Sequence, residues 1–225
     1  MKQPRPSAPE TPRSADQTRQ ALVLAALDLF GRNGFDGAST REIAAAANAN
    51  IGSIAYHFGG KEGLRVAAAD HIVQTMQAVA GRALGAAGEP KTPQEAERQL
   101  VAAARVMLTF LVADPAAGEF IQFLLRELSS PSAALDRIYA GVFEPFHRRF
   151  CKVWELATGA RADSDAAKLS IFAMIGQVVY FRIGREAVLR RMGWTSIGPD
   201  EVAKIAHVVT GNLAAVIEAQ RSRRT

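Results

Sequence analysis

The stretch "STREIAAAANANIGSIAYHFGGKEGL", residues 39–64, gathers hydrogen-bonding side chains at the ends of two short helical runs. Asn50 and Ser53 are short polar residues at the leading end of the second run, the position from which a helix in the major groove reads base edges. Ala55, Tyr56 and His57 follow, and the last two have the reach for phosphate oxygens or a thymine methyl. Lys61 places a point charge at the start of the next run. Thr40, beside the free N–H groups that open the first run, offers a further phosphate seat. The chemistry implied is a clamp on a polyanion, not bond-breaking.

Other chemistries find little support. The histidines at 57, 71, 147 and 207 are scattered, and no Cys/His/carboxylate spacing matches a metal site. There is no nucleophile elbow and no glycine-rich phosphate loop. No metal, cofactor or enzymatic activity is therefore expected. Cys151 is the single cysteine, which excludes an internal disulfide, and its amphipathic surroundings fit a passive buried thiol. The N-terminal charges are not followed by an apolar run, and no window holds the roughly 18 uninterrupted apolar residues of a membrane span. A cytoplasmic protein without membrane contact is the expectation. A net charge of +5 and a pI near 9.7 lean mildly toward polyanions.

The elements that must position these residues are helical. Alanine and leucine abound and no β-branched run alternates, so the fold expected is all-α. Residues 1–15, rich in proline, serine and charge, read as a disordered arm. Leu22, Ala25, Ala26, Leu29 and Phe30 keep helical spacing from Gln17 to Asn33, and Gly34 suits a left-handed cap. Ser39 or Thr40 caps a second helix ending near Ala47, with Glu42 in its first turn. Asn48 tolerates a left-handed turn, and Asn50 caps a third helix from Ile51 to Phe58. A long fourth helix runs from Lys61 to Gly85. Five more are expected: Pro93–Ala113, Asp114–Ser129, one from Ser132 kinked at Pro145, Asp163–Met192 and Pro199–Arg221.

Two short helices joined by a tight turn form a helix-turn-helix. Neither persists alone, since isolated helices under about 12 residues are marginal in water. Leu29, Phe30, Phe35, Ile43, Ile54 and Phe58 supply the platform. The domains expected are a helix-turn-helix unit over 16–61 and a helical unit over 62–225.

From about Arg19 to Leu64 the chain resembles the DNA-binding domain of the TetR/AcrR family, on "ALDLFGRNGFDGASTREIAAAA" and "IGSIAYHFGGKEGL". "FLLRELSSPSAAL" and "MIGQVVYFRIGREAVLRRMGW" resemble the CecR-like subgroup. The resemblance implies a sequence-specific repressor of double-stranded, palindromic operator DNA. It also implies a homodimer whose C-terminal domain binds a small-molecule effector that releases it. Thr40 and Lys61 match phosphate-contacting positions, and Ser53, Tyr56 and His57 match the recognition helix. Asn48 stands where many members have glycine, Ala55 where many have tyrosine, and Ile51 where a basic residue is frequent. Fewer interface charges imply a shallower salt dependence. Other readings are an all-helical enzyme or small-molecule-binding protein with a vestigial DNA head, and a sequence-tolerant architectural binder.

Eight of eleven phenylalanines lie at or beyond position 110. Most belong to a core, and an apolar pocket among them is expected from Met107, Phe110, Phe120, Phe123 and Phe143, with Arg126, His147 and Gln177 as polar groups. Gln122 and Arg182 are further polar candidates. The last two helices are expected to form the dimer seam through Phe172, Gly176, Tyr180, Gly184, Ile205, Val209 and Leu213. Gly176 and Gly184 would lie about 80° apart on one helix.

Overall fold

The computed structural model describes residues 14–85, 88–114 and 116–222. The expected arm up to position 13, and Pro115, lie outside the described residues. Ser14 accepts the Gln17 N–H at 3.2 Å and donates its own N–H to Gln17 Oε1 at 2.9 Å. This reciprocal cap starts α1 (Ala15–Gly37) two residues earlier than expected. The helix kinks at Gly34, where φ is 76°, a value that glycine adopts without strain. α2 (Thr40–Ala46) and α3 (Gly52–Phe58) complete the head, and α4 (Lys61–Gly85) leads out of it.

The body contains α5 (Pro93–Ala113), α6 (Ala116–Ser129), α7 (Ala133–Ile138), α8 (Glu144–Thr158), α9 (Asp165–Ile183), α10 (Arg185–Met192) and α11 (Pro199–Ser222). Two expected helices are divided. Between α7 and α8 lies a π turn, Tyr139–Phe143. Pro145 has no N–H for the Gly141 carbonyl and its ring crowds that group. Gln77 Nε2 of α4 donates to the Gly141 carbonyl instead, at 3.3 Å, and the Glu144 N–H reaches back to the Tyr139 carbonyl. Wider winding thus replaces a simple proline kink. The expected Asp163–Met192 helix breaks at Gly184 into α9 and α10.

One buried cluster runs without interruption from Leu22 and Ile43 in the head to Phe123, Ile138 and Val209 in the body. A second surrounds Trp154, fully buried, and joins α5, α8, α9 and α11. Arg221 staples this end: it donates to the Ala157 carbonyl at 2.6 Å and the Pro93 carbonyl at 3.0 Å, and pairs with Glu97 at 2.7 Å. By length and composition α9 and α11 are each apolar enough to cross a bilayer. In this fold 39% of the apolar window of α11 is buried but only 17% of that of α9, so α9 keeps an uncovered apolar face.

Candidate nucleic-acid interface and effector cavity

The head is built by capping and a few buried anchors. Ser39 donates its N–H to Glu42 Oε2 at 2.8 Å, and its hydroxyl accepts the Glu42 N–H at 3.1 Å. The hydroxyl also donates to Glu42 Oε2 at 2.7 Å, and the donations to that oxygen, from the backbone N–H first and the hydroxyl second, hold the Glu42 carboxyl below its ordinary range. The box uses part of the donor set at the start of α2, leaving fewer N–H groups for phosphate than the sequence implied. Ile43, Ala44 and Ala47 are buried, and Asn48 turns the chain at φ 48°.

Ile51, the residue before α3, already has helical backbone angles. Asn50 Oδ1 accepts the Gly52 N–H at 2.8 Å, the bond an N-capping side chain makes two residues on, so Asn50 caps this helix as expected. Ile54 fixes the inner face of α3, and Gly59 and Gly60 end it with φ of 72° and 141°. A Cβ at Gly63 would overlap the Phe58 carbonyl oxygen, so only glycine lets α4 leave this close to the end of α3. The Gly-Gly-Lys-Glu-Gly spacing is the available signal.

The outer face of α3 stays free. Tyr56 is 83% exposed, Ala55 is exposed, and Ser53 and His57 are half-buried. The His57 ring stands edge-on to Tyr56, with centroids 4.9 Å apart. Lys61 Nζ lies 4.4 Å from the centre of the Phe35 ring, which restrains its long side chain beside α3. Thr40 is half-buried at the start of α2.

Head and body meet through contacts with no local sequence signature. Arg65 of α4 binds Glu127 of α6 through two hydrogen bonds, 2.9 and 3.0 Å. The Ser132 hydroxyl, the cap of α7, donates to Glu127 Oε2 at 2.5 Å, and the Arg65 guanidinium lies 4.5 Å from the Phe35 ring centre. Arg126, expected in the pocket, instead donates to the Gly31 and Arg32 carbonyls of α1 at 3.4 and 3.1 Å. Those carbonyls lie in the turn of α1 that precedes its kink at Gly34. A Cβ at Gly31 would lie 3.1 Å from the Phe123 backbone nitrogen, so glycine permits the close approach of α1 and α6.

An apolar cavity of about 130 Å³ lies in the body between α4, α5, α6, α8 and α9. Met107, Phe120, Phe143 and His147 line it as expected. Phe123 does not: it is fully buried against Phe30, centroids 6.4 Å apart. Phe110 packs behind Phe120. Gln177 accepts from Asn212 Nδ2 at 3.1 Å, outside the cavity. Arg182 covers Gly118, and burial, then Arg185, lowers its affinity for the proton. Cys151 is buried and desolvation pushes its thiol up, so it is the inert group expected.

The uncovered face of α9 carries Leu169, Phe172, Ala173, Gly176 and Tyr180. Ile205, Val209 and Leu213 are only 3–4% exposed: this stripe of α11 faces the intrachain core, and Val208, Gly211 and Ala215 are the residues it turns outward. Gly184 lies at the break after α9, against the Tyr180 ring, and not on the α9 surface with Gly176.

Residues 22–68 match the family model for the bacterial regulatory proteins of the tetR family, and residues 96–220 match the C-terminal domain of the HTH-type transcriptional dual regulator CecR. The CecR dual regulator of Shigella flexneri is 33% identical over 213 residues, covering 92% of this chain and 95% of that protein. The chain belongs to the TetR family, in its CecR-like branch. The chain is also similar to the repressor NicS of Pseudomonas putida, 37% identical over 89 residues, which cover 39% of this chain and 40% of NicS. Among solved structures, a TetR-like regulator from Rhodococcus sp. RHA1 has a TM-score of 0.62 at 18% identity, covering 92% of this chain and 99% of its own. AibR, solved with isovaleryl coenzyme A and operator DNA, has a TM-score of 0.61 at 19% identity, covering 86% and 96%. These likenesses establish the all-α TetR fold, and this TetR-family member is a transcriptional regulator.

Proposed function

We propose that this regulator represses transcription by seating α3 of each protomer of a homodimer in successive major grooves of a palindromic operator, and that a small molecule in the body cavity releases it. The observation that carries the reading is the free outer face of α3, with Tyr56 83% exposed on a helix whose inner face is locked by Ile54. Ser53 and Ala55 face base edges, and Tyr56, His57, Lys61 and Thr40 hold phosphates. Asn50 acts mainly by capping the helix that presents Ser53.

The uncovered apolar face of α9, with Phe172, Gly176 and Tyr180, and the outward stripe of α11 are the surfaces for the second protomer. The effector enters the cavity lined by Met107, Phe120, Phe143 and His147. AibR, of the same fold, was solved with both isovaleryl coenzyme A and operator DNA, which supports this division of labour. The cavity walls belong partly to α4, so an occupant that spreads them moves the helix that begins at Lys61. Both α3 units are then displaced from the spacing of about 34–36 Å that two half-sites demand.

Selection of bound sequences from random DNA tests the reading. A palindrome with half-sites one helical turn apart, or a multiple, is expected, preferred about 10³-fold or more over random DNA. Recovery of unrelated sequences would refute it.

A further inference from the structure

The body cavity does not end in apolar wall. His147 lines it on one side and on the other lines an open cleft bounded by Arg148, Arg149, Lys152 and Lys168. Its ring stacks on Phe172 with centroids 4.1 Å apart, and its Nε2 lies 3.1 Å from the Lys168 carbonyl. His147 therefore stands between an apolar chamber and a basic vestibule. Four cations line the vestibule against two acids, Glu89 and Asp163. Asp163 is already held by Arg161 through contacts of 3.1 and 2.8 Å. Arg148 pairs with Glu144 at 2.6 Å and Lys168 lies 3.9 Å from Asp165, which leaves Arg149 and Lys152 as the exposed cations with the weakest local compensation.

We infer that the ligand of this cavity is a small amphiphilic anion, with its apolar end in the chamber, His147 at its waist and its negative head among Arg149, Lys152 and their neighbours. The inference rests on the effector reading above and adds the charge and size of the molecule. A chamber of about 130 Å³ is close to the engineered apolar cavity of about 150 Å³ that takes one benzene. The buried end is thus a group of about six carbons, and not a long chain. Apart from the His147 ring at its edge the chamber is lined by apolar side chains, so a buried charge has no partner there and the head must stay in the vestibule. A cationic amphiphile would meet like charge at the mouth. A carboxylate and a phosphorylated carrier share the head chemistry, and the measurement separates them.

Titration calorimetry on the full chain, without DNA, uses four ligands with one six-carbon tail: hexanoate, hexanoyl coenzyme A, hexan-1-ol and hexylammonium. At least one of the two anions is expected to bind ten-fold or more tighter than the alcohol, with hexylammonium weakest. Preference for hexanoate identifies a free acid, and preference for the thioester a phosphorylated carrier. The double variant Arg149→Glu/Lys152→Glu, at exposed positions outside the core, should cut anion affinity at least ten-fold while leaving alcohol binding unchanged. Equal binding of all four, no binding of any, or an anion preference that survives the double variant overturns the inference. Operator release is read separately by gel shift. An anion that binds but leaves the operator complex intact sinks the effector reading alone, whereas operator binding without any anion binding sinks only this inference.

Discussion

The contact between Arg65 and Glu127 should respond sharply to removal of one partner. Glu127 is 2% exposed, and its carboxylate takes two hydrogen bonds from Arg65 and one from Ser132. Glu127→Ala leaves the Arg65 guanidinium, whose side chain is 12% exposed, without its partner, and the Ser132 hydroxyl without an acceptor. Breaking a buried pair costs about 3–5 kcal/mol, and replacing both members by apolar groups is often neutral. The partial exposure of Arg65 puts the expected loss near the lower end, about 3 kcal/mol, or about 6–12 °C in Tm for a chain of this size. Arg65→Met/Glu127→Leu should recover most of it. Urea and thermal unfolding of wild type, both single variants and the double variant, at one fixed protein concentration, provide the cycle. A Glu127→Ala variant within about 0.5 kcal/mol of wild type, the range of ordinary surface substitutions, would refute the idea that this pair clamps head to body.

Gly63→Ala should weaken operator binding more than it weakens the fold, because a Cβ overlapping the Phe58 carbonyl oxygen must shift α3 against α4; gel shift and thermal melting separate the two effects. Gly81→Ala in the same helix, with no atom within 4 Å of the new Cβ, should instead stabilise by about 0.5–1 kcal/mol. Leu169→Glu/Tyr180→Glu, at sites 66% and 56% exposed, should convert a dimer into the 24.1 kDa protomer by light scattering, and an unchanged mass would remove α9 from the interface. Because the folded Glu42 carboxyl is held below its usual value, its contribution is present above the ordinary carboxylate pKa and fades as pH falls through the lowered one. The stability gap between wild type and Glu42→Gln should therefore close in acid, and a gap that widens there would contradict the assignment.

Local chemistry carried most of the head. The Ser39–Glu42 box, the turn at Asn48 and the stop at Gly59 are short-range patterns whose partners lie within a few residues. The cap of α5 by Thr92, with Glu95 N–H bonded to its hydroxyl at 3.2 Å, is of the same kind. Orientation in the body was less legible. α9 is apolar around most of its circumference, so periodicity does not say which side faces the core, and α11 has two stripes of which Ile205, Val209 and Leu213 proved to be the inner. The break at Gly184 interrupts an apolar pattern that continues on both sides, and a lone glycine inside such a pattern is often tolerated within one helix. Arg65 and Glu127 are 62 residues apart, and Arg126 and Gly31 95 apart, distances over which pairing leaves no local mark. Phe120 and Phe123 look alike in sequence, and only the packing of α1 on α6 assigns Phe123 to the core and Phe120 to the cavity wall.

The central claim is that α3 and Lys61 hold duplex DNA twice per dimer, and the salt dependence of operator binding tests it most directly. Each phosphate contact contributes about 0.9 to the slope of log K against log salt. Lys61→Met, which keeps a side chain over the Phe35 ring, removes one contact from each protomer and should flatten the slope by about 1.8, while Tyr56→Ala lowers affinity at every salt concentration. Both variants should melt like wild type. Unchanged affinity and slope in two such well-folded variants would contradict the account.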